Sequence, residues 1–293
     1  MSPLVIPLPG NETFAKALAD ARGCEMGVLE MRSFPDEETY LRFVSQVKAR
    51  SLALVCTLAH PDPKFLPLWF AARTARALGA SKVGLVAPYL AYMRQDKSFH
   101  PGEAVTSRHF AKLISEGLDW LVTVDPHLHR YRALSDLYTI PAQSLHAGRA
   151  IADWIAGNIS NPFIVGPDVE SEQWVSEVAK DCGAPYTVML KTRRGDRDVS
   201  VHPRDLHALP GHSPVIVDDI VSSGETMLGA IAALAAHTDA SPICIAVHAV
   251  LADDVAARIA ATGAKLVSTD TIPHPSNAIT TVPPIADAVA AFA

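Results

Sequence analysis

Short apolar runs alternate along this chain with longer segments whose apolar residues recur at helical spacing. The runs predict strands at residues 4–6, 26–29, 41–44, 52–56, 83–87, 120–124, 163–165, 186–190, 215–218, 244–248 and 266–268. The longer segments predict helices at 11–21, 66–78, 107–115, 147–157, 171–182, 226–236, 253–262 and 284–292. Strand-then-helix alternation implies an α/β architecture, with mainly parallel sheets flanked by helices on both faces. The series runs twice, with a crossover near residues 139–144, and suggests two similar domains, 1–141 and 142–275. A last helical segment within 276–293 is expected to pack back on the first domain. In such sheets ligands gather outside the carboxyl ends of the strands. The unusual polar clusters of this chain fall there, after Ala87, Val124, Val165, Leu190 and Val217.

Residues 215–226, V-I-V-D-D-I-V-S-S-G-E-T, concentrate the most chemistry. An apolar strand runs into two adjacent carboxylates, Asp218 and Asp219, expected to face solvent at its end. Ser222, Ser223 and Gly224 then form a short loop before an alanine-rich helix. Such a turn aims backbone N–H groups and hydroxyls at one point beside the positive end of a helix dipole, which suits a phosphate. The carboxylates can hold sugar hydroxyls or a Mg²⁺ ion. Together these groups point to a phosphorylated pentose. An ordinary polar βα turn would also satisfy a bare DD-x-x-S-x-G, but the full string with its apolar strand is more specific.

Of the 293 residues 49% are hydrophobic and 19% charged, so large cores can form and the composition is not that of a disordered chain. A net charge of −6 provides no basic field for nucleic acid or an anionic membrane. Cys24, Cys56, Cys182 and Cys244 form no C-x-x-C pair, which argues against a zinc site or redox motif. No stretch approaches the length of a membrane span, and the N-terminal residues lack the pattern of a signal peptide. A cytoplasmic protein is expected.

Four further clusters carry charge. Residues 88–101 read P-Y-L-A-Y-M-R-Q-D-K-S-F-H-P: Arg94 and Lys97 can neutralise phosphate oxygens, and Gln95 and Asp96 can orient a base or water. Residues 33–42, S-F-P-D-E-E-T-Y-L-R, form an acidic hairpin turn. Residues 122–130, V-T-V-D-P-H-L-H-R, place His127 and His129 just past a strand; two histidines could bind a transition metal, but no third soft ligand is evident. Lys191, Arg193 and Arg194 open a segment through Asp198 with no large apolar side chain. That segment cannot pack on a core and is expected to be mobile without substrate, either a solvated loop or an electrostatic lid.

The 215–226 string resembles the ribose-phosphate loop of the phosphoribosyltransferase fold. With F-P-D-x-E, R-Q-D-K followed by P-G-E, V-D-x-H and K-x-R in that order, the chain resembles the ribose-phosphate pyrophosphokinases, in their shorter archaeal form. The resemblance implies two phosphoribosyltransferase-type domains and a role in nucleotide biosynthesis. The implied reaction moves the pyrophosphoryl group of ATP to O1 of ribose 5-phosphate, with Mg²⁺ as cofactor. It assigns ATP to Phe34, Asp36, Glu38, Arg94, Gln95, Asp96, Lys97 and His127, and Mg²⁺ to His127 and Asp168. Asp218, Asp219, Ser222, Ser223, Gly224, Glu225 and Thr226 would hold the ribose phosphate, and Lys191 and Arg193 would be catalytic. It also implies a homo-oligomer, a dimer or larger, with shared active sites. The sequence departs from the pattern at Ser222-Ser223, and at Glu170-Ser171-Glu172, where Ser171 would cap the next helix. It departs again at Glu225, whose side chain must point away from a bound phosphate. A phosphoribosyltransferase that consumes the same pyrophosphate would share the 215–226 loop but not R-Q-D-K or F-P-D-x-E. A non-catalytic regulatory paralogue would be expected to lose one of Lys191, Arg193, His127 or the acidic pair.

Overall fold

A computed structural model of the chain describes residues 2–193, 199–203, 206 and 209–292, with the side chains of 173, 191–193 and 199–203 outside that description. The chain divides into two compact units, Met1–Leu145 with Thr281–Ala293, and His146–Thr280. Among the described residues no helix is long and apolar enough to cross a membrane.

The first unit runs β1 (Leu4–Pro7), α1 (Glu12–Arg22), β2 (Leu29–Ser33), β3 (Thr39–Phe43), β4 (Ser51–Val55), α2 (Asp62–Ala77), β5 (Lys82–Ala87), α3 (Thr106–Gly117), β6 (Trp120–Val124) and β7 (Ala142–Leu145). Five of these strands form a parallel sheet in the order β1-β4-β5-β6-β7. Leu52, Ala53, Leu54 and Val55 of β4 are all buried, as in a parallel strand covered on both faces. β2 and β3 stand apart as an antiparallel hairpin. β3 takes in Leu41 to Phe43 of the expected run 41–44, while β2 starts only where the expected run 26–29 ends. β7 corrects the expected crossover at 139–144: Ala142 to Leu145 pair with Leu121 to Val124 and complete the first sheet. The short string A-Q-S-L has no apolar signature, so register alone makes it a strand. The first unit therefore extends to Leu145, beyond the expected boundary at Pro141.

The second unit runs α4 (Gly148–Asn158), β8 (Pro162–Gly166), α5 (Glu172–Cys182), β9 (Tyr186–Arg193), β10 (Val199–Pro203), β11 (Ser213–Val221), α6 (Glu225–Ala235), β12 (Ile243–Ala249), α7 (Val255–Ala261), β13 (Lys265–Thr269) and β14 (Asn277–Ile279). The sheet order is β10-β9-β8-β11-β12-β13-β14, parallel except where β10 pairs β9. β9 lies on one side of β8 and β11 on the other, so the winding reverses between β8 and β11. In an open α/β sheet such a reversal opens a crevice at the carboxyl ends of the two strands. Met227, Ala230, Ile231 and Leu234 of α6 pack with Phe163, Val165 and Ile216 in the core beneath that crevice.

The final helix, α8 (Val282–Phe292), belongs to the first unit and buries Ile285 and Val289. The Phe292 ring stacks on Trp120, with centroids 5.4 Å apart and planes 9° off parallel. Trp120 in turn lies across Gly84, its register partner on β5, where any side-chain carbon would collide with the indole. Gly84→Ala should therefore push Trp120 off its stack and destabilise the first unit by about 1–3 kcal/mol. A thermal or denaturant midpoint equal to wild type would show that the indole moves without cost.

Candidate active site

The chemistry of the second unit gathers at the β8/β11 crevice. β11 pairs with β8 only from Ser213 to Ile216, but with β12 as far as Val221. Asp218 and Asp219 are therefore strand residues on an overhang past β8, not the end of a strand stopping at 218. The Asp219 N–H donates to Asp218 Oδ1 at 3.0 Å, and the Ile220 N–H to Asp219 Oδ1 at 2.7 Å. Burial pushes the Asp218 carboxyl well above the usual carboxylate range, and the charges of Asp219 and Asp168 push it further. Both residues are half-buried, so the pair expected to face solvent is only partly open to it. Asp218 and Asp219 on β11 and Asp168 after β8 thus bring negative charge to the crevice, and carboxylate oxygens are the donors a hard divalent cation takes.

Asp168 enters from the carboxyl end of β8 on an extended backbone, φ −159° and ψ 177°. Its Oδ1 accepts the N–H groups of Glu170 at 3.1 Å and Ser171 at 3.2 Å. Ser171 does not cap α5 with its side chain. Its hydroxyl instead donates to the Asp168 carbonyl at 2.6 Å, and the Asp168 carboxylate caps the short 3-10 turn Val169–Ser171 that precedes α5. The departure at Glu170-Ser171-Glu172 thus holds Asp168 in place.

Past β11 the backbone turns through Ser222, Ser223 and Gly224 into α6. Gly224 has φ 75°, a left-handed conformation that favours glycine, and a Cβ there would meet Val255 Cγ1 at 2.5 Å. No side chain caps this helix start, and its first internal bond runs from the Leu228 N–H to the Gly224 carbonyl at 2.8 Å. The amides of Glu225, Thr226 and Met227 come before that bond and have no acceptor within the helix. With the hydroxyls of Ser222, Ser223 and Thr226, this is the donor set of an anion cradle. The Glu225 carboxylate is exposed and bound to Arg258 on α7, at 2.7 Å.

In the first unit, β5 leads into the R-Q-D-K loop. Asp96 is 8% exposed and accepts from Arg130 Nε at 3.1 Å. The Tyr131 hydroxyl donates to the Asp96 carbonyl at 3.1 Å, and the Ser107 N–H to the Gln95 carbonyl at 3.4 Å. Asp96 thus anchors the loop from beneath, while Arg94 is exposed and the Lys97 ammonium sits 4.3 Å above the Phe99 ring. Glu103 Oε2 accepts the N–H groups of Phe99 at 2.6 Å and His100 at 3.0 Å, closing the turn that follows. His127 and His129 follow β6, ring centroids 3.8 Å apart. Just before them Asp125 adopts φ 35°, and its N–H donates to the Leu145 carbonyl at 2.8 Å. At the hairpin tip Phe34 is 41% exposed, edge-on to Tyr40, with the Arg32 guanidinium over both rings at 4.9 and 4.3 Å. Asp36 Oδ1 accepts the Glu38 N–H at 3.3 Å, and Glu37 between them has φ 70°. Left-handed residues at Glu37, Tyr92 (φ 58°) and Asp125 mark these same three loops, where backbone strain tends to collect at working sites.

The backbone of Lys191 and Arg193 ends β9, while their side chains, and Arg194 through Asp198 altogether, lie outside the described residues. The sequence reading missed Arg130, Tyr131 and Arg258. Each acts on a motif residue from a distant stretch of chain, and no local pattern marks it.

The match to known proteins follows the two units. Residues 4–117 match the N-terminal domain of ribose phosphate pyrophosphokinase, and residues 133–285 the phosphoribosyl transferase domain. A ribose-phosphate pyrophosphokinase of Methanopyrus kandleri is 31% identical over 290 residues, covering 98% of each chain. One from Halobacterium salinarum is 32% identical over 284 residues, covering 95% of this chain and 98% of its own. The crystal structure of phosphoribosylpyrophosphate synthetase from Mycobacterium smegmatis shares the fold at a TM-score of 0.86 and 21% identity, covering 100% of this chain and 99% of that one. With both domain models matched in order and relatives above 30% identity over 95% or more of its length, this chain belongs to the ribose-phosphate pyrophosphokinase family.

Proposed function

We propose that this protein transfers the pyrophosphoryl group of ATP to O1 of ribose 5-phosphate, giving phosphoribosyl pyrophosphate and AMP. The observation that carries the substrate assignment is the β11 overhang, where Asp218 and Asp219 lead straight into the uncapped start of α6. Asp218 and Asp219 accept the ribose hydroxyls. The amides of the first turn and the hydroxyls of Ser222, Ser223 and Thr226 take the 5-phosphate. Arg94, Gln95 and Lys97 are assigned to ATP on the loop that Asp96 anchors, with His127 on the phosphates and Phe34, Asp36 and Glu38 on adenine. O1 attacks the β-phosphorus in line with the departing AMP, and charge builds on the non-bridging oxygens. Lys191 and Arg193 are assigned to that charge. Mg²⁺, when bound, screens the negative charge of the ATP phosphates. Asp168 would hold it in the second unit, and His127 would contact it in the first. The protein is proposed to act as a homo-oligomer, a dimer or larger.

An assay with ATP, ribose 5-phosphate and Mg²⁺ tests the reading, with AMP and phosphoribosyl pyrophosphate expected in equal amounts. No AMP, but pyrophosphate released from phosphoribosyl pyrophosphate and a purine base, would overturn it in favour of a phosphoribosyltransferase. No turnover of either kind would mark a non-catalytic paralogue.

Asp218→Asn separates function from stability. Because the raised carboxyl binds its proton more tightly in the folded than in the unfolded state, stability falls as pH climbs from the unfolded value through the native one. The asparagine cannot ionise, so without divalent cations this variant should melt higher than wild type at neutral pH. Its KM for ribose 5-phosphate, and that of Asp219→Asn, should nevertheless rise. Calorimetric binding of ribose 5-phosphate at wild-type strength in both variants would contradict the assignment.

A further inference from the structure

Glu225 is the residue least suited to an anion loop. It sits at the first position of α6, beside the amides assigned to a phosphate. A carboxylate there is attracted to the same N–H groups and the same dipole. Left alone, it would compete from within for the cradle and would repel any anion that entered.

The structure turns it the other way. Arg258 Nη2 donates to Glu225 Oε1 at 2.7 Å, and Nη1 donates to the Ser223 carbonyl at 3.4 Å. Nε lies 3.9 Å from Asp254 Oδ2 on the preceding turn, which steadies the guanidinium. In a trans peptide the C=O and the following N–H point in opposite directions. Holding the Ser223 carbonyl on the Arg258 side therefore turns the Gly224 N–H away from Arg258. The same helix backs the loop a second time, through Val255 against Gly224. The side chains of Arg258 and Glu225 are 40% and 69% exposed, so the pair does little for stability. What it controls is where a negative charge sits.

We propose that Arg258 is a positioning residue of the phosphate loop, which keeps the Glu225 carboxylate out of the anion cradle and fixes the Ser223–Gly224 peptide with its N–H turned away from α7. The proposal rests on assigning the 222–226 loop to the phosphate of ribose 5-phosphate. A family loop that tolerates glutamate at this position thus depends on a cation more than thirty residues further along the chain to neutralise it.

Arg258→Ala should raise the KM for ribose 5-phosphate on the order of tenfold, as expected for a like charge released beside a bound anion. The kcat and the KM for ATP should stay near wild type. Adding Glu225→Gln to Arg258→Ala should bring the KM back to within about twofold of wild type, because the competitor is then neutral. A merely structural role would leave the double variant as weak as the single one, and that result would overturn the proposal. So would a wild-type KM in Arg258→Ala itself. If Arg258→Ala does not fold, Arg258→Gln carries the same expectations. Wild-type enzyme that forms no AMP would instead sink the functional reading on which the test depends.

Discussion

Lys191→Ala and Arg193→Ala are each expected to lower kcat on the order of 10²-fold or more, with little change in the KM for ATP. The backbone places both residues where such an effect can arise. β9 pairs with β8 only as far as Val188 and then runs on to Arg193 beside β10. The backbone of both residues therefore lies on a second overhang, past the carboxyl end of the strand that delivers Asp168. A cation aimed at charge that exists only during transfer costs little when substrate merely binds, so its loss falls on kcat. Steady-state kinetics with kcat unchanged in both variants would remove them from the mechanism.

Phe34→Ala with Asp36→Ala should abolish most activity, yet regain part of it when mixed with a Lys191→Ala chain. The β2–β3 hairpin is a separate ribbon whose tip exposes an aromatic ring flanked by the Arg32 guanidinium. Such a surface suits stacking against a flat heteroaromatic ring such as adenine. If the hairpin serves the active site of another copy, a mixed oligomer contains one composite site built only from intact parts. Activity should also fall on dilution below the dissociation constant of the oligomer. Full activity from a monomer verified by light scattering would sink the shared site.

What could be read from the sequence was whatever is local. The apolar run before Asp218-Asp219, and the serines and glycine after it, announce a strand, a turn and a helix start within one short window. The α/β class follows from the same alternation repeated along the chain. What could not be read is set by partners far off in sequence. β7 is a strand only because β6 offers it a ladder, and β11 outruns its apolar stretch because β12 keeps pairing with it to Val221. Asp96 reads as a surface acid in R-Q-D-K, but Arg130 holds it in the interior. Ser171 reads as the cap of α5, but its hydroxyl turns back to the Asp168 carbonyl instead. Charge and polarity pattern reveal which groups are available, whereas tertiary pairing decides which of them face a ligand.

The placement of α8 also bears on the order in which this protein can take shape. That helix completes the first unit, yet it is made only after all of His146–Thr280. During synthesis the first sheet must wait, with Trp120 lacking the Phe292 ring, while a contiguous stretch behind it emerges and can close. Domains generally fold in the order they are made, but the first unit cannot be completed in that order. The unit whose sheet is synthesised earlier is thus the later one to be sealed, and until then it leaves an apolar face open.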